Sequence, residues 1–258
     1  MQTTNNTILI TGGGSGIGRG LAEAFHKLGN QVVIAGRRQS VLDEVTAANP
    51  GMKSAVLDIK SADATHSFAA QIKADHPSLN AVIQNAGIMR NESLAKGELA
   101  DMEAMVTTNL LGPIRLTAAL LPQLLAQPHA AIVTVTSGLA FVPLAMTPTY
   151  CATKAAIHSY TQSLRYQLKE TNVQVIELIP PYVQTELMGE RQASDPNAMP
   201  LAEFIAEVMA LLESSPDAPE ICVERVKRLR FAEANGGYDG FFQQMNDTLS
   251  AARAAEVK

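Results

Sequence analysis

The chain has little cysteine, little charge and no long apolar run. Cys151 and Cys222 are the only cysteines among 258 residues. Two are too few for a disulfide framework or a thiolate metal cluster, and each reads as a small buried hydrophobe. Charged residues make up 17%, against a usual ~25%, so a second subunit is expected to cover part of the surface. The charge present sums to −5, which argues against a nucleic-acid footprint. No stretch approaches the ~18 consecutive apolar residues of a membrane span. The opening MQTTNNTILITG lacks the basic n-region of a secretory signal. His26, His66, His76, His129 and His158 show no metal-ligand spacing and read as structural or solvated. The expectation is a cytoplasmic protein with no metal, membrane or nucleic-acid partner.

What is present is a regular beat. Apolar, β-branched runs lie at 7–11, 31–35, 54–57, 81–84, 131–135, 173–179 and 221–223. Helical patterns lie between them near 16–29, 40–48, 61–75, 98–126, 149–170 and 201–213. Strands that are apolar throughout and separated by helices read as parallel and covered on both faces. This predicts an α/β fold: a single-domain, Rossmann-like, doubly wound parallel sheet of about seven strands, with helices on both faces. The length suits one domain. Residues 185–200 break the periodicity with Gly189, Pro196 and Pro200, and open a substrate lid taken to span 185–213. The C-terminal segment 220–258 is atypical, and within it 225–242, rich in charge and aromatics, is assigned only loosely.

Directly after the first strand comes Thr11-Gly12-Gly13-Gly14-Ser15-Gly16-Ile17-Gly18. The GxGxxG dinucleotide pattern does not fit its register, but Gly12-xxx-Gly16-x-Gly18 does. Gly12 leaves the strand in a tight bend, Gly16 admits close backbone approach to a pyrophosphate, and Gly18 lets the helix pack on the sheet. Gly14, Ser15 and Ile17 complete the cradle. A bare glycine cluster is often only a loop; its place between strand and helix favours the phosphate reading. The second strand ends in Gly36-Arg37-Arg38, with no Asp or Glu between Gln31 and Asp43. An acidic residue here would bond a ribose 2′-OH, whereas arginine accommodates a 2′-phosphate. NADP(H) is therefore favoured over NAD(H), with Arg37 first and Arg38 second; the bland alternative is a solvated turn. After the third strand, Asp58 beside Ile59 could accept from an adenine amino group, or cap the next helix.

At the other end stand Ser137 and Tyr150-Cys151-Ala152-Thr153-Lys154. Tyr150 and Lys154, four apart, share one helix face. A nearby ammonium should favour phenolate and bring the tyrosine towards the working pH. Ser137 ends the fifth strand and can bond a substrate oxygen. Tyr-xxx-Lys alone is common on helix surfaces, but opening a helix thirteen residues after a strand-end serine it is not.

With Thr11-Gly12-xxx-Gly16-Ile17-Gly18, Asn85-Ala86-Gly87, Asn109, Ser137 and Tyr150-xxx-Lys154, the chain resembles the short-chain dehydrogenase/reductase family over 7–185. The resemblance implies that Tyr150 is the general acid in carbonyl reduction and that Ser137 orients the carbonyl. It implies that Lys154 holds the nicotinamide ribose and that Asn109 anchors a water of the proton relay. Asn85, Ala86 and Gly87 would line the cofactor site, and Pro180, Val183 and Thr185 would flank the nicotinamide carboxamide. It also implies a four-helix dimer interface from 98–126 and 149–170, hence a homodimer or homotetramer. The chain departs from the family at Pro180-Pro181, where Pro-Gly is usual, and in its C-terminal tail. With Gly36-Arg37-Arg38, both departures look like the DltE-type oxidoreductase subgroup.

The substrate side would be lined by Met89, Leu139, Phe141, Met146, Tyr182, Leu187 and Met188, nearly all apolar, which points to a hydrophobic ketone or aldehyde. Several of these could equally be core or interface residues. Arg90 and Arg191 are the cations nearest this ring. Two competing readings are a non-catalytic nucleotide-binding sensor, against which Ser137, Tyr150 and Lys154 all stand, and an extended sugar-nucleotide enzyme. The roughly 70 residues after Thr185 are too few for the substrate domain of the second.

Overall fold

The computed structural model describes residues 1–97 and 99–256. In chain order the elements are β1 (Thr7–Thr11), α1 (Gly16–Lys27), β2 (Gln31–Gly36), α2 (Gln39–Ala48), β3 (Lys53–Val56), α3 (Ala62–Asp75), β4 (Ala81–Gln84), α4 (Ala100–Val106) and α5 (Gly112–Leu125). They continue with β5 (Ala130–Val135), α6 (Pro148–Gln167), β6 (Val173–Ile179), α7 (Glu190–Ser194), α8 (Leu201–Ser214), β7 (Glu220–Cys222), α9 (Lys227–Arg230) and α10 (Tyr238–Glu256). Every expected strand is present within one residue of its reading. The helix expected over 98–126 begins on a residue outside the described ones, and so do the last two residues of the 220–258 tail.

The seven strands form one sheet in the order β3-β2-β1-β4-β5-β6-β7, and all six pairings are parallel. Alternation along each strand divides the core in two. In β1, Ile8 and Ile10 join Leu21, Phe25, Phe204 and Val208 of α1 and α8 on one face. Leu9 points the other way, to Phe68, Ile72, Leu116 and Leu120 of α3 and α5. Because both faces are covered, the strands carry no polar stripe, which is why they read as continuous apolar runs. The chain crosses from β3 to β4 on the far side of β1. The crevice beyond the carboxyl ends of β1 and β4 is thus the switch point at which such sheets bind ligands.

Two regions refine the sequence reading. The helical stretch after residue 98 is broken in register: a π-helical turn, Thr107–Leu111, joins α4 to α5. The 185–213 segment has two parts. Helix α8 belongs to the core, with Phe204, Val208 and Leu212 buried, and Ile205 and Leu201 lie over Gly20 of α1. Of 185–200, Met199 belongs to that same core, and the residues before it carry the rest of the segment. It is not irregular, since it holds a 3₁₀ turn at Glu186–Met188 and α7, and Val183 bridges Met199.

Candidate active site

Gly12 leaves β1 with φ +68° and Gly16 opens α1 with φ +51°, conformations that side chains resist. Gly18 packs so closely that a Cβ there would sit 2.3 Å from the Gly12 carbonyl and 2.4 Å from Asn85 Nδ2. The spacing Gly12-xxx-Gly16-x-Gly18 is therefore what lets α1 seat on the strand end. Asn85 knits the two strand ends together, its Nδ2 donating to the Thr11 carbonyl at 3.0 Å and the Gly12 carbonyl at 3.3 Å. In return the Thr11 hydroxyl accepts the Asn85 and Ala86 N–H groups, both at 3.1 Å. The sequence reading counted Thr11 in the glycine motif but gave it no role, although a threonine closing a strand before the glycine turn is a usable signal.

A cleft runs from Gly12, Gly14 and Ser15, past Arg37, Arg38, Asp58 and Ile59, to Ala86 and Gly87. Its features fit a dinucleotide. Ser15 sits at the N-cap of α1 without a side-chain cap bond, so the first N–H groups of the helix face an anion site. Thr108 lines the cleft with its hydroxyl buried and unpartnered among the described residues, a donor and acceptor that a bound polar group would satisfy. Arg37 and Arg38 are exposed on the rim, and among the described residues neither is in an ion pair. The cap of α3 is Ser61, whose Oγ accepts the Ala64 N–H at 3.1 Å. Asp58 instead accepts the Lys60 N–H at 3.2 Å and borders the cleft. Thr185 stands 3.3 Å from where a Gly16 Cβ would be, so the segment after β6 closes over the glycine turn. Val183 is buried beneath it, and the Pro180 carbonyl accepts from the Gly138 N–H at 2.9 Å.

The Ser137–Tyr150–Lys154 end is buried. Tyr150 is 6% exposed and Lys154 5%, on consecutive turns of α6, and the phenol lies close enough to Ser137 to be influenced by its hydroxyl. Lys154 Nζ donates to the Val135 carbonyl at 2.7 Å and lies 5.6 Å from the Tyr150 ring centroid. The Tyr150 pKa is not depressed, as the sequence reading expected. Burial raises it, and the neighbouring Ser137 hydroxyl opposes that only in part. The ammonium lies against the ring and a carbonyl, and is itself lowered to about 8 by burial. Asn109, in the π-helical turn, donates to the Ile88 carbonyl at 2.9 Å and to Thr153 Oγ1 at 3.2 Å, and accepts the Ile88 N–H at 2.9 Å. It thereby ties the loop after β4 to α6. A Cβ on Gly87 would meet Asn109 Oδ1 at 3.4 Å and Lys154 Nζ at 3.8 Å, so Gly87, Asn109 and Lys154 share one small volume.

A residue with no sequence signal completes this helix. Glu92 accepts from the Thr149 N–H at 2.9 Å and the Thr149 hydroxyl at 2.7 Å, holding the first turn of α6 one residue before Tyr150.

The substrate residues divide. Met89 and Leu139, with Ile88 and Leu144, pack around Tyr150, Met105 and Cys151. Met146 borders them, its carbonyl accepting from the Glu92 N–H at 2.9 Å. Phe141 joins a different cluster: its ring meets His158 edge-on at 4.7 Å and lies 4.6 Å from the Arg230 guanidinium. Tyr182 is 46% exposed and donates to Asp195 at 3.1 Å; burial and that carboxylate push its phenol up to about 12. Leu187 and Met188 lie on the 3₁₀ turn, half-buried. Gln192, also missed, anchors the turn through the Val183 carbonyl at 2.8 Å and the Met188 N–H at 3.1 Å. Arg90 donates to the Met89 carbonyl at 2.9 Å.

His158 departs from the scatter of the other histidines. Its Nδ1 lies 2.8 Å from fully buried Glu177, and Glu220 is within the same small cluster. Both carboxylates are engaged: Glu177 also accepts from Thr136 at 2.7 Å, and Glu220 is held by Arg230 at 2.8 and 2.9 Å. The arrangement is a hydrogen-bonded group of His158, Glu177 and Thr136 beside the Glu220–Arg230 ion pair.

Comparison with known proteins points the same way. The short chain dehydrogenase family pattern matches residues 6–196. The chain is 40% identical over 251 residues to the uncharacterized oxidoreductase DltE of Bacillus subtilis, covering 95% of this chain and 98% of that one. A serine dehydrogenase solved in its closed form with NADP+ is 26% identical with a TM-score of 0.75, over 83% of this chain and 91% of that chain. A short chain dehydrogenase from Burkholderia cenocepacia, solved with NADP, is 25% identical with a TM-score of 0.77, over 91% and 95%. The glycine turn at the β1–β4 crevice, the Ser137–Tyr150–Lys154 grouping and these likenesses agree: the chain belongs to the short-chain dehydrogenase family, as an oxidoreductase with a nicotinamide cofactor.

Proposed function

We propose that the protein is an NADP(H)-dependent oxidoreductase that interconverts a hydrophobic ketone or aldehyde and its alcohol, with Tyr150 as general acid and base. The observation that carries this reading is the grouping of a buried Tyr150 phenol beside buried Ser137, with the Lys154 ammonium 5.6 Å from the phenol ring centroid. A bound nicotinamide dinucleotide supplies, or takes up, the two electrons of such a reaction. Gly12, Gly14, Ser15, Gly16, Ile17 and Gly18 would hold its pyrophosphate, Asp58 and Ile59 its adenine end, and Asn85, Ala86, Gly87 and Lys154 its nicotinamide half. Pro180, Val183 and Thr185 would close over the ring.

Ser137 orients the substrate oxygen towards the phenol. Burial keeps Tyr150 protonated at neutral pH, the form that carbonyl reduction consumes. Lys154, lowered only to about 8, remains mostly cationic near pH 7 and stabilises the phenolate left behind. Asn109 fixes the helix distortion beside which the proton is replaced from water. Ile88, Met89, Leu139 and Leu144 present apolar surface around the phenol, which excludes water and favours an uncharged substrate.

Arg37 and Arg38 support the 2′-phosphate preference, because they rim the cleft without an ion pair among the described residues and no acidic residue takes their place. The same reading makes the protein cytoplasmic, independent of membrane and nucleic acid, and a homodimer or homotetramer. The helical stretch Ala100–Leu125 is long and apolar enough to cross a membrane by length and composition, yet less than half of it is buried in the chain. A second copy covering this stretch and α6 accounts for that surface. The deciding experiment is titration with NADPH and NADH followed by thermal shift, then turnover of cyclohexanone, acetophenone and benzaldehyde. Stronger stabilisation by NADPH and turnover of at least one carbonyl are expected. An NADH preference refutes the arginine reading, and no turnover refutes the carbonyl reading. Sedimentation showing only monomer refutes the dimer.

A further inference from the structure

The C-terminal segment, where the chain departs most from its family, folds back across the loop that leads into Tyr150. Gly138 lies under Val226 and Leu229, where a Cβ would come within 2.9 and 2.5 Å of their methyl groups. Three residues on, Phe141 lies under the guanidinium of Arg230. The contact furthest along the tail is also the most directional. Asn246 of α10 accepts the Ala145 N–H at 2.7 Å and donates to the Pro143 carbonyl at 3.1 Å. A further bond from the same Nδ2 to the Phe242 carbonyl at 2.9 Å fixes the amide on its own helix.

The loop so held is the substrate wall. The Leu139 N–H donates to Ser137 Oγ at 3.1 Å, Leu139 and Leu144 pack on Tyr150, and Glu92 grips the far end at Met146 and Thr149. Between Ser137 and Tyr150 the backbone is thus held by Glu92 on one side and by α10 on the other. Polar backbone groups of a loop that lack partners within it need such external ones. A side-chain amide, with a donor and an acceptor in fixed geometry, can bind an N–H and a C=O two residues apart.

We propose that Asn246 is a positioning residue for substrate recognition: from the C-terminal helix it sets the place of the 143–146 backbone, and so the distance of the Leu139–Leu144 wall from Tyr150. The proposal rests on the reading of Tyr150 and Ser137 as the reacting centre, and it makes the tail a determinant of which carbonyl compounds fit. It also gives the variant tail a task distinct from cofactor binding, since the cleft along Gly12, Arg37 and Asp58 lies on other elements.

The test uses the full chain with Asn246→Ala and Asn246→Asp. Asp keeps the acceptor for the Ala145 N–H and loses the donor to Pro143. Hydrogen exchange of the cofactor-free protein and steady-state kinetics with NADPH and acetophenone are measured on each. Asn246→Ala is expected to speed exchange of the amides over 143–149 and to raise the acetophenone KM by about three- to tenfold, the worth of one net hydrogen bond. NADPH affinity should stay within about twofold, and Asn246→Asp should recover part of the loss, because an ionised acceptor bonds an N–H strongly. Faster exchange confined to α10, with the loop unchanged, overturns the proposal. So does an equal loss in KM and NADPH affinity. If the unaltered protein reduces no carbonyl probe, the proposed reaction fails, while the exchange pattern of the loop still decides the role of Asn246.

Discussion

The ammonium of Lys154 is held 2.7 Å from the carbonyl of Val135, so α6 is pinned to the end of the strand that leads to Ser137. The bond offsets only part of the cost of a charge with 5% exposure. The lysine sits at about 8, against an ordinary 10.5. Because the folded value is the lower one, the unfolded chain holds the extra proton between about pH 8 and 10.5. The penalty is therefore present in full below pH 8 and is relieved as pH rises through that window. Urea denaturation of the cofactor-free protein and of Lys154→Met, at pH 7 and 9.5, should show the difference moving in favour of the unaltered protein by about 2 kcal/mol. A pH-independent difference would mean that the lysine is not strained by burial.

Tyr150→Phe removes one hydroxyl from a buried ring and leaves the packing of Met105, Leu139 and Leu144 intact. Turnover should fall by about 10²–10⁴-fold, the range of a lost general acid, with NADPH affinity nearly unchanged. Stopped-flow reduction with saturating NADPH checks the first, and fluorescence titration the second. Retained turnover would remove Tyr150 from the reaction.

Arg37→Ala tests the cofactor rim. Loss of a charge-assisted bond to a 2′-phosphate is worth about 1.5–3 kcal/mol, so NADPH should bind about 10–100-fold more weakly. NADH, lacking that phosphate, should bind as before. Isothermal titration with each nucleotide reads the result, and equal losses would show that the guanidinium never meets the phosphate.

Gly18→Ala places a methyl group against a carbonyl and an amide that cannot both yield, at 2.3 and 2.4 Å. Overpacking of this kind costs about 1–3 kcal/mol. Because it prises α1 from the Thr11–Asn85 junction, dinucleotide affinity should fall together with the melting temperature. Gly29→Ala, where an added methyl group meets no atom within 4 Å, carries only backbone strain at its φ of +83°, and should leave dinucleotide affinity unchanged.

Much of this architecture was legible in the residues. Glycine spacing, strand periodicity and Tyr150-xxx-Lys154 are local signals, and local signals survive in a linear text. What escaped was long-range. Asn246 and Ala145 are 101 residues apart and Glu92 and Thr149 are 57 apart, and nothing in an isolated Glu or Asn says which backbone it will meet. Phe141 was assigned by its place in the chain, and its ring turned instead to His158 of α6 and Arg230 of the tail, which meet there. The Tyr150 shift was misjudged for a related reason. The charge of Lys154 follows from sequence, but the depth at which both groups are buried does not. The sequence 225–242 mixes aromatics with arginines, and becomes intelligible only once Arg228 is seen stacked on Phe241 at 4.3 Å.

The order of the strands has a consequence for synthesis. A chain emerging from the ribosome starts to fold from its N-terminal end, and β1, β2 and β3 are neighbours both in sequence and in the sheet. The part that would grip an adenosine can thus assemble within the first 60 residues or so. Its far wall must wait for β4, when Asn85 reaches the Thr11 hydroxyl, and Tyr150 and Lys154 arrive only with α6. The loop before Tyr150 gains its tether from Asn246 only after a further 101 residues. A nascent chain therefore becomes able to hold a nucleotide long before it becomes able to use one.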